Sequence, residues 1–307
     1  MNVVTNKKIG IVGAGAIGAV LAQALYDAYG DRVTALADEQ RSVQWKRQGG
    51  LLLNGHPSAF PVRSFREAGI QDLIFIAVKS YHLEEVISGL DGNVGEHTDL
   101  VSLLNGISSE ALLKEAFGRD RVPLALAVGQ DALRRDGEVT YTRVGRIVLG
   151  EDRIPSSSSR VGAIRDILTG AGIDCEVPHD MPHELWWKYM VNVGINQVSA
   201  LLDAPYGMFQ QPGPARDMMC RAMEEVRMVA LREGIELTEH DVKQWLDLLD
   251  TLNPRGETSM LQDVRSGRST ELQLFAPTLT KLADRHGIPV PVNRYLMEEL
   301  RNRVSDS

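Results

Sequence analysis

The fold is decided near the N-terminus by Ile9-Gly10-Ile11-Val12-Gly13-Ala14-Gly15-Ala16-Ile17-Gly18, a short apolar run followed by three regularly spaced glycines. The run predicts a buried strand, and the residues after it predict a helix. Gly13 permits the tight turn out of the strand, Gly15 lets a ligand approach the backbone, and Gly18 lets helix and strand pack closely. Amides at the helix start attract phosphate. Residues 13–18 therefore predict a site for a dinucleotide pyrophosphate.

An acidic residue follows the next strand. Asp38 lies twenty positions after Gly18, at the end of the predicted strand Arg32–Ala37. A carboxylate there accepts hydrogen bonds from the adenosine ribose and repels a 2′-phosphate, which favours NADH over NADPH. Arg41, three residues on, could soften that preference. A structural role also stays open, because Asp is a favoured N-cap at the start of a helix.

Short β-branched runs alternate with amphipathic stretches through the first half of the chain. We predict strands at Ile9–Val12, Arg32–Ala37, Leu73–Ala77, Leu100–Leu103, Leu124–Val128 and Arg146–Leu149. Helices are predicted between them, at Ala16–Tyr29, Glu39–Gln48, Leu83–Leu90 and Ser109–Phe117. This alternation predicts an α/β fold with a doubly wound, mostly parallel sheet of the Rossmann type. The segment Arg134-Arg135-Asp136-Gly137 is interpreted as a solvated turn between strands.

The strand pattern almost disappears beyond Pro178. Helical spacing dominates instead, at Met181–Leu202, Pro214–Glu233, Glu239–Leu252, Glu271–His286 and Asn293–Val304. A length of 307 residues also suits two domains. We expect a dinucleotide-binding Rossmann domain over residues 1–178 and an all-helical substrate and catalytic domain over residues 179–307.

Composition excludes several classes of partner and site. The formal net charge of −8 gives no general attraction to nucleic acid or to anionic membranes, so an anionic substrate needs a local cationic site. No apolar run is long enough to predict a membrane span. The two cysteines, Cys175 and Cys220, indicate neither a disulfide framework nor a metal-thiolate site, which fits a cytoplasmic protein. His179 and His183 lack a third ligand, so we predict no metal.

A second candidate site lies on one predicted helix, within Glu184-Leu185-Trp186-Trp187-Lys188-Tyr189-Met190-Val191-Asn192-Val193-Gly194-Ile195-Asn196. At about 100° per residue, Lys188, Asn192 and Asn196 share a face about 80° wide. Apolar neighbours would partly desolvate Lys188 and lower its pKa toward that of a general acid. A solvated lysine beside two surface asparagines stays open as the alternative.

Taken in order, these motifs resemble those of the ketopantoate reductases (2-dehydropantoate 2-reductases). The resemblance rests on the glycine turn, Asn105-Gly106, Glu184-Leu185-Trp186-Trp187-Lys188 with Asn192 and Asn196, and Ser259-Met260-Leu261-Gln262-Asp263 leading to Thr270-Glu271. It extends to His286-Gly287-Ile288-Pro289-Val290-Pro291, almost the whole chain. It implies NAD(P)H-dependent reduction of 2-dehydropantoate to pantoate, a step toward pantothenate and coenzyme A.

The resemblance also implies residue roles. Lys188 matches the catalytic lysine that protonates the substrate oxygen, and Glu271 matches the acidic residue that positions this lysine and the substrate. Asn105 matches an asparagine beside the nicotinamide ribose. Lys79 matches a lysine at the edge of the cofactor.

Three further residues match positions that bind the substrate, a small anionic 2-oxo acid. Ser259 matches a contact to the substrate carboxylate. Asn192 and Asn196 match residues that hold the hydroxyl end.

Departures from the family pattern keep alternatives open. Asp38 replaces a common arginine, and Gln197, Gln273 and Ala276 replace family residues near the substrate positions. The change at Asp38 leaves the choice of cofactor open, and the other three changes favour a related dehydrogenase acting on another small 2-oxo or hydroxy acid. A non-catalytic dinucleotide sensor is a third hypothesis, although a sensor would not need Lys188. The helical second half also offers a surface for a homodimer.

Overall fold

The protein is described by a computed structural model that covers residues 6–135 and 137–305. The chain forms two compact units. The first contains the described residues up to Leu104 together with Ser109–Pro182, and the second contains Asn105–Ser108 together with the described chain from His183 onward. Asn105–Ser108 therefore belongs to the helical unit, although it precedes a helix of the first.

Strands and helices alternate in the first unit. Its strands are β1 (Ile9–Val12), β2 (Val33–Ala37), β3 (Leu52–Leu53), β4 (His56–Pro57), β5 (Val62–Ser64), β6 (Gln71–Ile76), β7 (Val94–Ser102), β8 (Leu124–Val128), β9 (Leu133–Arg135), β10 (Glu138–Thr140), β11 (Arg146–Gly150) and β12 (Asp174–Glu176). Its helices are α1 (Ala16–Tyr29), α2 (Glu39–Gln48), α3 (Phe65–Ala68), α4 (Leu83–Gly89), α5 (Ser109–Phe117) and α6 (Ser159–Gly170).

The main sheet is parallel and has the order β5-β2-β1-β6-β7. Strand β1 is central, with Ile9 opposite Val33 on one side and Leu73 on the other. Its residues are buried on both faces, which explains the unbroken apolar run. The chain moves outward from β1 in one direction and then returns to its other side at β6. The carboxyl end of β1 is therefore the switch point of this sheet, the place at which open α/β sheets bind ligands. The strand order and the parallel pairing confirm the predicted fold class.

Two predicted strands belong to another sheet. Leu124–Val128 and Arg146–Gly150 pair antiparallel, and with β12 they form a separate three-stranded sheet. The prediction of one mostly parallel sheet was wrong for this part, because a strand's own sequence does not specify its partner. A four-stranded sheet of order β4-β3-β10-β9 was also missed, since its strands are two or three residues long.

The interpretation of residues 134–137 as a turn was wrong for Arg134 and Arg135, which both lie in β9. Arg134 Nη1 also donates a hydrogen bond to the Ala14 carbonyl oxygen at 2.8 Å. The reversal itself is supplied in part by Gly137, at φ +86°. Asp136 lies outside the described residues.

The second unit is built from helices. They are α7 (Met181–Leu202), whose first two residues belong to the first unit, α8 (Pro214–Arg232), α9 (Glu239–Leu249), α10 (Ser259–Arg265), α11 (Ala276–His286) and α12 (Pro291–Ser305). Among the described residues, no helix combines the length and apolar character needed to cross a membrane.

Two details of this unit differ from prediction. The predicted helix Glu271–His286 begins only at Ala276, because Pro277 suits a first turn and would break a helix interior. The preceding residues Leu272–Leu274 form a 3₁₀ turn. Helix α10, of seven residues, was not predicted, because it is too short to show a helical period.

Candidate active site

Two glycines of the turn after β1 are required by the fold itself. Gly13 has φ +95°, and a Cβ there would lie 2.7 Å from the Ala77 carbonyl oxygen. A Cβ on Gly18 would lie 1.9 Å from the Gly13 carbonyl oxygen. Neither position can accept a side chain without moving backbone. Their function is to let α1 begin directly against the carboxyl end of β1.

Gly15 differs from both. Its φ of −73° suits any residue, and a Cβ would meet only the Ala77 carbonyl oxygen, at 3.9 Å. Nothing in the part of the chain that the structure describes therefore requires glycine here. Gly15 is the N-cap of α1 and has no side chain to occupy the first amides of that helix. An open position beside free helix amides suits a phosphate group, so these residues fit the pyrophosphate of a dinucleotide.

Asp38 lies at the carboxyl end of β2 and caps α2. Its Oδ1 accepts a hydrogen bond from the Arg41 amide at 2.8 Å, and Arg41 Nε lies 3.3 Å from Oδ2. The structural alternative for Asp38 is thus confirmed. It does not exclude a ribose contact, because a carboxylate has about four acceptor positions and the cap uses one. The arginine beside it offsets part of its negative charge.

Lys79 is exposed and follows β6, the strand next to β1. It is the N-cap of the 3₁₀ turn Ser80–His82. The fold therefore places it at the same edge of the sheet as the glycine turn, in the same unit.

In the helical unit, α7 carries the predicted polar face. Asn196 is only 6% exposed, whereas Lys188 and Asn192 are half-buried. Tyr189 and Met190, on other faces, are fully buried. The alternative of two surface asparagines is therefore wrong for Asn196. Lys188 is therefore only partly exposed, on a helix whose other faces are packed into the core.

Two further predicted residues meet although they are far apart in sequence. Asn105 Nδ2 donates to Glu271 Oε2 across 3.5 Å, a long hydrogen bond that joins residues separated by 166 positions. Gly106 makes this approach possible with φ +91°, because a Cβ would lie 3.3 Å from Leu274 Cβ. The Asn105-Gly106 pair therefore serves the helical unit, next to the turn that Glu271 begins.

Ser259 lies on a separate element, as the first residue of α10, and is exposed. Its neighbour Thr258 caps the helix by accepting from the Leu261 amide at 3.2 Å. The Thr258 hydroxyl also donates to Ser199 Oγ, at 3.2 Å, which ties α10 to α7. The position of Ser259 is thus fixed relative to the helix that carries Lys188.

Gln197 has a role that the sequence did not reveal. It is completely buried, its Oε1 accepts from the Ala276 amide at 3.1 Å, and its Nε2 donates to the Val193 carbonyl at 2.8 Å. Nε2 also lies 3.3 Å from Asn293 Oδ1. Two of the departures from the family pattern, Gln197 and Ala276, are therefore partners in the core. Because both residues lie in the core, they are weaker evidence that the substrate pocket has changed. In the sequence, only the joint occurrence of the two changes could have indicated that they are partners.

Among residues 6–135 and 137–305, no group of three or more His, Cys, Asp or Glu side chains is arranged to hold a metal. His183, one of the two histidines considered above, has its Nε2 3.2 Å from Asp241 Oδ1. The Asp241 carboxylate in turn receives hydrogen bonds from the amide and hydroxyl of Thr238 at the start of α9.

Comparison with known proteins gives matches along nearly the whole chain. The family profile "Ketopantoate reductase PanE/ApbA" matches residues 9–153, and "Ketopantoate reductase PanE/ApbA C terminal" matches residues 180–304. The 2-dehydropantoate 2-reductase of Halobacterium salinarum is 28% identical over 230 residues, which cover 75% of each chain.

Solved structures agree in fold. The crystal structure of 2-dehydropantoate 2-reductase from Geobacter metallireducens is 27% identical with a TM-score of 0.84, covering 96% of this chain and 99% of that one. D-mandelate dehydrogenase with NADH and anilino(oxo)acetate has the same TM-score at 22% identity, covering 97% and 98% of the two chains. Because both family profiles match in order and together span most of its length, the chain belongs to the ketopantoate reductase family of oxidoreductases.

Proposed function

We propose that this protein reduces 2-dehydropantoate to pantoate with NAD(P)H. The observation that carries the proposal is the meeting of Asn105 and Glu271 in the unit whose helix α7 bears Lys188, Asn192 and Asn196. Residues matched separately to one reaction thus occur together in one unit. The same proposal assigns cofactor binding to residues 1–178 and catalysis to residues 179–307.

The bound nicotinamide would supply a hydride to C2 of the substrate. As C2 gains the hydride, its carbonyl oxygen gains negative charge and needs a proton. The Lys188 ammonium would donate that proton from Nζ, as a general acid. The products would be the 2-hydroxy acid and NAD(P)⁺, and the neutral Lys188 would then take up a proton from solvent.

Glu271 and Asn105 would orient the reacting groups. The Glu271 carboxylate accepts from Asn105, which fixes one of its oxygens in direction. The fixed carboxylate would position Lys188 and the substrate, the role that its family match implies. Asn192 and Asn196, one and two turns along α7, would bind the hydroxyl end of the substrate, and Ser259 its carboxylate.

Cofactor choice is proposed from Asp38. Its carboxylate would accept from the ribose hydroxyls and disfavour a 2′-phosphate, so we propose a preference for NADH. The ion pair with Arg41 makes the preference modest rather than absolute, because Arg41 could turn toward a phosphate.

A second candidate is the reduction of another 2-oxo acid. The exposed Gln273 favours it, since this residue departs from the family pattern and does not lie in the core. The likeness to a D-mandelate dehydrogenase, solved with NADH, adds an aryl 2-oxo acid to the substrates worth testing.

Steady-state kinetics test the proposal. Both cofactors are measured against 2-dehydropantoate, 2-oxoisovalerate, pyruvate and benzoylformate. We expect the highest kcat/KM with 2-dehydropantoate and a higher value with NADH than with NADPH. A higher kcat/KM for benzoylformate would establish the second candidate instead.

The role of Lys188 is tested separately by Lys188→Ala. We expect kcat to fall by about 10²–10⁴-fold, the usual contribution of a general acid, while the Kd of NAD(P)H stays unchanged. Lys281→Ala is the matched control, because Lys281 is an exposed lysine on α11. Unchanged turnover in Lys188→Ala would remove the proposed acid, and a wild type that binds cofactor without turnover would favour the sensor.

A further inference from the structure

Arg134 touches the glycine turn from a distant part of the chain. Its Nη1 donates to the Ala14 carbonyl oxygen at 2.8 Å, joining residues 120 positions apart. Although Arg134 is exposed as a residue, burial around its guanidinium lowers the pKa of that group. Arginine stays charged at any physiological pH, so a partly desolvated positive charge lies beside the turn.

The hairpin that carries Arg134 is firmly held. Strand β10 pairs with β9 on one side and with β3 on the other. Before β9, the Asp131 carboxylate accepts hydrogen bonds from the amides of Thr142 and Arg143, at 2.9 and 2.8 Å, and from the Thr142 hydroxyl. These bonds close the base of the hairpin. The guanidinium is thus presented by a braced element rather than by a loose loop.

The bond to Ala14 also controls an amide that the turn presents to its ligand. The Ala14 carbonyl and the Gly15 amide belong to one planar trans peptide, so they point in opposite directions. Holding the carbonyl toward Arg134 directs the Gly15 N–H away from it. Gly15 is the residue at which the protein leaves room for external atoms.

We propose that Arg134 is a positioning residue for the diphosphate of the dinucleotide cofactor. It fixes the Ala14-Gly15 peptide with the N–H directed outward and adds a positive charge where the diphosphate binds. The inference rests on the proposed function, since it assumes that a dinucleotide occupies the turn. The attraction for the diphosphate would come from this local positive charge, because the chain as a whole has a net charge of −8 and does not itself attract anions.

The test measures the Kd of NADH and of NADPH for the full chain by fluorescence titration, at low and at high salt. In Arg134→Gln, we expect the Kd to rise about tenfold for both cofactors at low salt, the size of a lost charge-assisted hydrogen bond. We also expect a weaker dependence of Kd on salt, because screening has one charge fewer to act on. Arg134→Lys should restore the salt dependence while recovering only part of the affinity, because it lacks the fixed fork.

Arg135→Gln is the matched control. Arg135 is the next residue of β9, and successive side chains of a strand point to opposite faces. It removes the same charge from the chain without removing the bond to Ala14. We expect its Kd values and salt dependence to equal those of the wild type.

The outcomes separate this inference from the proposed function. If Arg134→Gln melts at a lower temperature but keeps the wild-type Kd and salt dependence, Arg134 only stabilises the β9–β10 hairpin and the inference is overturned. If Arg134→Gln weakens cofactor binding as expected but the wild type reduces none of the 2-oxo acids, the inference holds and the proposed reaction fails.

Discussion

The glycine turn and helix α7, the two candidate sites, are built in opposite ways. At the turn, what matters is the absence of side chains: Gly13 and Gly18 permit close backbone packing, and Gly15 leaves open space. On α7, polar side chains are the feature, and an ordinary helix only spaces them. The glycines of the turn lie within one short segment, whereas the proposed reaction joins α7 to Asn105 and Glu271 from other parts of the chain.

This difference teaches which substitutions damage the fold and which damage only function. A residue whose environment is filled by the protein's own backbone is structural, even inside a binding motif. A residue that faces open space or a neighbouring polar side chain can be changed with less effect on folding. The first predictions below test this distinction in the glycine turn and on α7, and the last two extend it to Asp38 and Asp131 elsewhere in the first unit.

The largest effect is expected from Gly18→Ala. Its Cβ would lie 1.9 Å from the Gly13 carbonyl oxygen, so α1 and β1 must separate. We expect a loss of about 3 kcal/mol in the free energy of unfolding, as for severe overpacking, measured by urea denaturation.

Gly15→Ala is the matched control for that substitution. The added Cβ meets only one atom, at 3.9 Å, so the free energy of unfolding should stay near the wild-type value. Cofactor Kd should nevertheless rise at least about tenfold, because a methyl group would displace the phosphate. Equal destabilisation by both substitutions would contradict the distinction between the two glycines.

A similar contrast exists on α7 between two residues five positions apart, Asn192 and Gln197. Gln197→Ala removes the partner of the buried Ala276 amide and leaves a cavity, so we expect a loss of about 2 kcal/mol in thermal or urea denaturation. Substrate KM should change little. Asn192→Ala should do the reverse, raising KM while leaving stability nearly unchanged, because Asn192 is half-buried. A large change of KM in Gln197→Ala would show instead that Gln197 contributes to substrate binding.

Asp38→Ala should have a smaller effect on folding. It removes the N-cap of α2, which costs about 1 kcal/mol in the free energy of unfolding. It should also raise kcat/KM with NADPH relative to NADH, because a negative charge is lost beside the ribose. Asp38→Asn keeps a capping oxygen and separates the two effects: it should restore stability but keep the altered cofactor ratio. An unaltered ratio in both variants would leave Asp38 with the capping role alone.

The smallest effect is expected at the base of the β9–β10 hairpin. The hydrogen bonds from the Thr142 hydroxyl and from the amides of Arg143 and Thr142 lower the pKa of Asp131 from its ordinary 3.8 to about 2. The ionised carboxylate therefore stabilises the folded protein above about pH 4, and this contribution is lost as the pH falls toward 2. Because Asp131 lies at the surface, solvent screening keeps the contribution small.

Urea midpoints of the wild type and Asp131→Asn check this prediction. We expect the variant to be slightly less stable at pH 7 and the difference to narrow at pH 3. A difference that widens on acidification would show the opposite sign of the pKa shift.

Much of the fold was predictable because its signals are local. The strand Ile9–Val12 and helix Ala16–Tyr29 have the predicted bounds, since strand, glycine turn and helix follow one another without a gap. Strand partners were less predictable. Leu124–Val128 has the composition of a main-sheet strand, yet pairs antiparallel with β11, because pairing depends on chain segments elsewhere.

By itself, the sequence determined the glycine turn between β1 and α1, the polar face of α7 and the change from an α/β to a helical half. Each of these depends on spacing within one segment, which fixes local geometry through backbone conformation and helical period. Only the tertiary structure decided that Gln197 and Ala276 are core partners, that Asn105 meets Glu271, and that Arg134 holds the glycine turn. Those contacts join residues from 79 to 166 positions apart, and sequence spacing carries no information on such distances until the chain has packed.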